Sequence, residues 1–168
     1  MIHVPRTGGT SIEVALTGQG WDEIDLYAKH LTADQARFRY LSHWKSYFTF
    51  SIVRNPFDRL VSVHADIARQ IGDPSFEEFI LGGEWHMKWE QPYHNQYDMI
   101  RGVDKVYRFE DLEGAWADLS ERLGINKPLP HTCQNRRRRD WRSYYTPRAR
   151  GTVERLCRRD MEHFGYSF

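Results

Sequence analysis

The chain reads as short apolar runs, each closed by glycine, proline or a hydroxyl residue and each followed by a stretch of helical period. The clearest run is Tyr47-Phe48-Thr49-Phe50-Ser51-Ile52-Val53. It is aromatic and β-branched, and it suits a central strand of a parallel sheet covered on both faces. Asn55, Pro56 and Asp58 follow as an N-cap, a first helical residue and an acid at the positive helix end. Phe57, Leu60, Val61 and His64 then recur at i, i+3, i+4 and i+7, which predicts a helix to about Gln70.

The same grammar organises the rest. Met1–Val4 is a short first strand, and Ser11–Leu16 opens a helix after a glycine-rich turn. Trp21–Tyr27 reads as another short strand. Thr32 and Gln35 form a capping box for a helix to about Tyr40, and Ser75 with Glu78 forms a second, for a helix stopping at Gly82-Gly83. Lys105–Phe109 reads as a strand, Leu112–Leu123 as a helix closed by Gly124, and Thr146-Pro147 starts a final helix ended by Gly165. Between them, Glu84–Gln96 lacks a period and reads as a long loop carrying Trp85, Trp89 and Tyr93, while Lys127–Tyr145 is irregular and basic.

Strands alternating with helices predict an α/β fold. The expectation is a P-loop-like, three-layered arrangement with a small central parallel sheet flanked by helices, and a single domain over residues 1–168. Composition changes little in this picture: 40% hydrophobic and 28% charged residues are ordinary for a globular chain, and a net charge of +1 gives no global field toward nucleic acid or membrane. Local charge is uneven, with ten arginines between Gln134 and Arg159 against Asp140 and Glu154. No apolar run approaches the roughly 18 residues of a membrane span. The N-terminus leads straight into a strand with no secretory signal pattern, and Cys133 and Cys157 form no disulfide framework, so a reducing cytoplasmic setting is expected. So abrupt a start also suggests a trimmed chain or a minimal one.

Candidate chemistry concentrates at two strand ends. Pro5-Arg6-Thr7-Gly8-Gly9-Thr10-Ser11 joins a strand to a helix through residues whose backbone N–H groups no large side chain shields. Such a turn is an anion cradle, because the first helical turn offers unpaired donors and the positive end of the dipole. After the central strand comes Arg54, whose planar guanidinium suits phosphate, and Ser62 lies two turns along the following helix. In open α/β sheets ligands bind at the carboxyl ends of strands. If the two strands are neighbours, the two stretches face one crevice and call for a ligand with two separated anionic groups.

His3-Val4-Pro5-Arg6-Thr7-Gly8-Gly9-Thr10-Ser11 resembles the 5′-phosphosulfate loop of the carbohydrate sulfotransferases, in the branch holding the heparan and chondroitin 2-O-sulfotransferases. Phe50-Ser51-Ile52-Val53-Arg54-Asn55-Pro56-Phe57-Asp58-Arg59-Leu60-Val61-Ser62 is similar to their 3′-phosphate motif. Tyr107–Leu112, Tyr144–Asp160 and Phe164-Gly165-Tyr166 also resemble that family. The resemblance implies a donor, 3′-phosphoadenosine 5′-phosphosulfate (PAPS), and transfer of its sulfuryl group to an acceptor hydroxyl, with no metal. It assigns the 3′-phosphate to Arg54 and Ser62. It assigns the 5′ end to the backbone donors of Thr7, Gly8, Gly9 and Thr10 with the hydroxyls of Thr10 and Ser11. The family carries lysine where this chain has Arg6; that residue meets charge developing on the departing phosphate.

For the base that takes the acceptor proton, the resemblance points to His30 within Lys29-His30-Leu31-Thr32-Ala33, since a histidine precedes the central strand in the 2-O branch. Glu13 is the second choice and is expected to face solvent; His3 is expected to support the loop. Arg136–Arg139 falls where family members close a loop over the nucleotide, and the aromatic loop suits stacking on an oligosaccharide acceptor. Two rival readings remain: a P-loop kinase, which lacks the Walker lysine because Thr10-Ser11 follow the glycines, and an Arg-rich nucleic-acid-binding module.

Overall fold

The computed structural model describes residues 1–25, 28–82, 95–130 and 140–168. The chain folds as two compact units, one of Met1–Arg54 with Met99–Gln134, the other of Asn55–Asp98 with Asn135–Phe168.

The first unit holds the sheet. Strand β1 (Phe50–Val53) pairs in parallel with β2 (Lys105–Arg108), Ser51 opposite Val106 and Ile52 opposite Tyr107. On the side away from β2, Ile2 makes a parallel bridge to Ser51. The Ile2 N–H donates to the Phe50 carbonyl at 2.8 Å and the Ser51 hydroxyl to the Ile2 carbonyl at 2.7 Å. So β1 is central and wholly buried, as its apolar run predicts. The expected first strand is reduced to that bridge. β1 is also shorter than expected: Trp44–Ser46 forms a 3-10 turn, and the ladder begins only at Phe50. Asp104 is the cause, because its carboxylate accepts both the backbone N–H and the hydroxyl of Thr49, each at 2.7 Å. Those bonds end the pairing and set the register in which β2 enters.

Helix α1 (Gly9–Thr17) and a later helix of this unit, Leu112–Leu123, cover the sheet, with Ile12, Ala15, Phe50, Ile52, Tyr107, Ala115, Trp116 and Leu119 in one core. The strand expected over Trp21–Tyr27 does not form in its described part, Trp21–Asp25. Trp21–Ile24 is a single helical turn (α2), begun by the Trp21 N–H donating to the Glu13 carboxylate and closed by the Asp25 N–H on the Trp21 carbonyl. Helix α3 (Ala33–Arg39) has the predicted reciprocal capping box: the Gln35 N–H donates to the Thr32 hydroxyl at 3.2 Å, and the Thr32 N–H to the Gln35 side chain at 2.8 Å.

In the second unit, α4 (Pro56–Ile67) starts as expected, the Asn55 side chain accepting the Phe57 N–H at 3.0 Å. It is buried nearly all round, so Asp58, Arg59 and Ser62 lie inside together with Phe57, Leu60, Val61 and Val63. Helix α5 (Phe76–Gly82) carries the Ser75–Glu78 capping box. Gln96–Ile100 forms α6, a turn of helix beginning where the expected loop ends; its Met99 and Ile100 belong to the first unit. In chain order the Leu112–Leu123 helix is α7; its Gly124 cap has φ of 67°. The predicted final helix is two, α8 (Pro147–Leu156) and α9 (Arg158–Phe164), broken at Cys157. Asp160 of α9 is buried, where its carboxylate accepts the Gln96 side-chain amide and the Tyr97 N–H at 2.9 Å each. Rings of Trp141, Tyr145 and Phe168 surround Phe57 at centroid distances of 6.0, 5.4 and 5.1 Å.

Among the described residues no helix is long and apolar enough to cross a membrane. The aromatic loop with Trp85, Trp89 and Tyr93, the run Arg136–Arg139, and Cys133 lie outside the described residues.

Candidate active site

Both notable turns leave the carboxyl edge of the sheet, because Ile2 and β1 run parallel. After Val4 the chain turns through Pro5–Gly8 and enters α1 at Gly9. Two residues of the turn take positive φ, Arg6 at 66° and Gly8 at 81°. Glycine adopts that backbone without steric cost; arginine does so against the usual preference of a side chain bearing a Cβ. Bonds among the described residues hold the turn. The Thr7 hydroxyl donates to the Val4 carbonyl at 2.8 Å. The Ser11 N–H donates to the Gly8 carbonyl at 3.1 Å. The Arg54 guanidinium donates to the Arg6 carbonyl at 2.9 Å.

No side chain caps α1. A helix leaves its first four N–H groups without partners inside the helix; here Ser11 has spent its own on Gly8, and Gly9 and Thr10 precede it. Space accounts for both glycines. A Cβ on Gly8 would lie 3.0 Å from Leu112 and 3.2 Å from Phe109, and one on Gly9 would collide with the His3 ring. The Phe109 ring that abuts Gly8 also lies under the Arg54 guanidinium, 4.1 Å from its carbon to the ring centroid. Arg54 is 5% exposed, so its position is set by Phe109 on one side and by the Arg6 carbonyl.

Beneath the turn is a cluster of polar side chains. His3 Nδ1 donates to Glu13 Oε1 at 2.5 Å, with Glu13 fully buried. Glu13 Oε2 accepts the Trp21 N–H at 3.2 Å and faces Lys29 Nζ at 3.6 Å. Burial pushes the Glu13 pKa up, but the hydrogen bond and charge of His3, the Trp21 N–H and Lys29 outweigh it, and the carboxyl is held below its ordinary value. Glu13 therefore does not face solvent as expected. The signal was present as a lone carboxylate in the apolar run Ile12-Glu13-Val14-Ala15-Leu16.

His30 Nδ1 donates to the His3 carbonyl at 3.1 Å, and the two rings meet edge to face at 4.8 Å. Burial pushes its pKa down to about 4, helped by the charges of His3 and Lys29 and opposed by the hydrogen bond and Glu13. His30 is thus neutral at pH 7.

The first unit thus brings together Arg6, Thr7, Gly8, Gly9, Thr10, Ser11, Arg54 and, packed on His3, His30. Ser62 belongs to the second unit, buried on α4. Residues 1–167 match the model of the sulfotransferase family. The chain belongs to that family. No curated protein and no solved structure matches it.

As a sulfotransferase the chain catalyses transfer of a sulfuryl group. Fixed dipoles at a helix N-terminus suit an anionic donor. Among the described residues no group of three or more His, Cys, Asp or Glu could hold a metal ion. Two contributors went unread in the sequence, Phe109 and the Glu13–His3 pair; both act through space, across 55 and 10 residues of chain.

Proposed function

We propose that this sulfotransferase takes its sulfuryl group from PAPS and passes it to a carbohydrate hydroxyl, in the manner of the 2-O-sulfotransferase branch. The observation that carries the reading is the uncapped start of α1. There Gly9 and Thr10 present N–H donors beside a guanidinium, Arg54, already fixed on the Arg6 carbonyl. Those groups fit a nucleotide with an anion at each end, since one set of donors is backbone and the other is a planar cation.

PAPS supplies a sulfuryl group activated by a phosphate leaving group. The backbone of Thr7–Thr10 with the hydroxyls of Thr10 and Ser11 would hold the 5′ end, and Arg54 the 3′-phosphate. The Arg6 side chain compensates charge on the leaving phosphate oxygen, with a broader and stiffer cation than lysine would give. His30, neutral at pH 7, takes the acceptor proton as the new sulfur–oxygen bond forms and the bond to the leaving phosphate oxygen breaks. A base of low pKa stays unprotonated over a wide range but accepts a proton less readily, a cost in rate that buys readiness.

Calorimetry with adenosine 3′,5′-bisphosphate and with adenosine 5′-phosphate tests the reading. The bisphosphate is expected to bind at least about tenfold more tightly, the yield of one charge-assisted contact. Equal affinities, or no binding of either, would overturn it.

A further inference from the structure

One hydrogen bond of His30 decides its chemistry, the one between Nδ1 and a backbone carbonyl. A neutral imidazole has one donor and one acceptor nitrogen. The His3 carbonyl can only accept, so at 3.1 Å it obliges His30 Nδ1 to carry the hydrogen. Nε2 is then the lone-pair nitrogen. An unconstrained imidazole in water prefers the opposite tautomer, so the carbonyl selects the less common form.

The carbonyl is itself held in place. The His3 ring packs on Gly9 at the start of α1 on one side and on His30 on the other. Its Nδ1 is bound to Glu13, which is fully buried and anchored by the Trp21 N–H and Lys29. Lys29 is the chain neighbour of His30, so the same carboxylate restrains the segment from both ends. A buried carboxylate orienting one imidazole, which in turn orients a second through its main chain, is an indirect form of the carboxylate–histidine arrangement that fixes tautomers.

We propose that Glu13 and His3 are positioning residues for the reaction. Glu13 locks the His3 ring, and the His3 carbonyl holds His30 as the Nδ1–H tautomer with Nε2 as the proton-accepting atom. The proposal rests on the reading of His30 as the base. It gives a catalytic purpose to a buried carboxylate–imidazole hydrogen bond beneath the anion cradle, one that binding of the donor alone does not require.

The test is made first on the full chain without nucleotide. Nitrogen-15 spectra of the histidine rings at pH 7 should show His30 with its hydrogen on Nδ1. In Glu13→Gln the one amide oxygen turns to the two donors, the Trp21 N–H and Lys29, and sets its NH2 against the His3 Nδ1–H, so the His3 ring is released. His30 should then move toward the Nε2–H form. In the same variant kcat should fall by about 10- to 100-fold, the usual cost of losing an orienting partner, while affinity for adenosine 3′,5′-bisphosphate stays within about threefold, below half a decade in binding constant.

A wild-type His30 carrying its hydrogen on Nε2 overturns the proposal even if the variant fails to fold. So does a Glu13→Gln protein with an unchanged tautomer, or one whose nucleotide affinity falls in step with kcat, which would mark the pair as scaffolding for the loop. Retained turnover in His30→Ala, with the tautomer as described, would overturn the base assignment itself and leave the nucleotide site standing.

Discussion

Two turns carry the chain from the sheet edge into helices, and they solve the same problem in opposite ways. Before α4 the Asn55 side chain accepts the Phe57 N–H, and Pro56 has no N–H to satisfy. That turn is closed by its own residues. Before α1 the cap is Gly8 at φ 81°, with no side-chain bond, and Arg6 is held at φ 66°. That turn leaves donors to be met from outside and keeps an unfavourable backbone to do so. The difference teaches where function enters: the first turn contributes its backbone, whereas at the second the functional group is the Arg54 side chain, turned back onto the Arg6 carbonyl.

The comparison can be broken most severely at Gly9. A Cβ there collides with the His3 ring, so Gly9→Ala should displace the start of α1. A displacement near 1 Å is expected to cost about 100-fold in turnover, read from initial rates with a circular-dichroism check of folding. An active Gly9→Ala enzyme would mean that this backbone is not where the chemistry is held.

Arg54→Ala comes next. Loss of a charge-assisted contact costs about 1.5–3 kcal/mol, and calorimetry should show that loss for adenosine 3′,5′-bisphosphate with adenosine 5′-phosphate little affected. Asn55→Ala sharpens the contrast. It should lower stability by about 1 kcal/mol in denaturant, the cost of a lost cap, and leave nucleotide affinity unchanged. A drop in affinity comparable to that of Arg54→Ala would show that the second turn is not closed after all.

The smallest effect is in acid. The pKa of His30 is depressed from 6.5 to about 4, so the unfolded chain binds its proton first and stability falls as pH drops from about 6.5 toward 4. Glu13, also depressed, acts in the same direction at lower pH. In the second unit Asp160 works oppositely: burial raises its pKa against the pull of Arg59 and its hydrogen bonds, so its contribution is lost as pH rises through the folded value. Thermal denaturation from pH 7 to pH 4 should therefore show a gentler slope in His30→Gln than in the parent chain. An identical slope would exclude a half-buried, neutral His30.

Much of this was legible in the sequence wherever the determining contacts are local. The Thr32–Gln35 and Ser75–Glu78 boxes, the Asn55-Pro56 start and the Gly124 cap rest on groups a few residues apart, and each formed as read. The failures have the opposite character. Trp21–Ile24 became a helical turn because a carboxylate eight residues earlier took its first N–H. β1 was cut short by Asp104, 55 residues from Thr49. The last helix broke at Cys157, and Asp160 beyond the break bonds to Gln96 and Tyr97.

The glycine-rich turn follows the same division. Its sequence alone marked a tight turn from strand to helix, because the glycine at position 8 takes a positive φ freely and the one at position 9 carries no Cβ. Tertiary structure decided what surrounds it: Phe109 against Gly8 and beneath Arg54, the Arg6 carbonyl as the anchor of Arg54, and Glu13 drawn inward to hold His3. Backbone preference is set by neighbours along the chain. Burial, which fixed the pKa of His30 and the direction of Glu13, is set by whatever the fold brings across space.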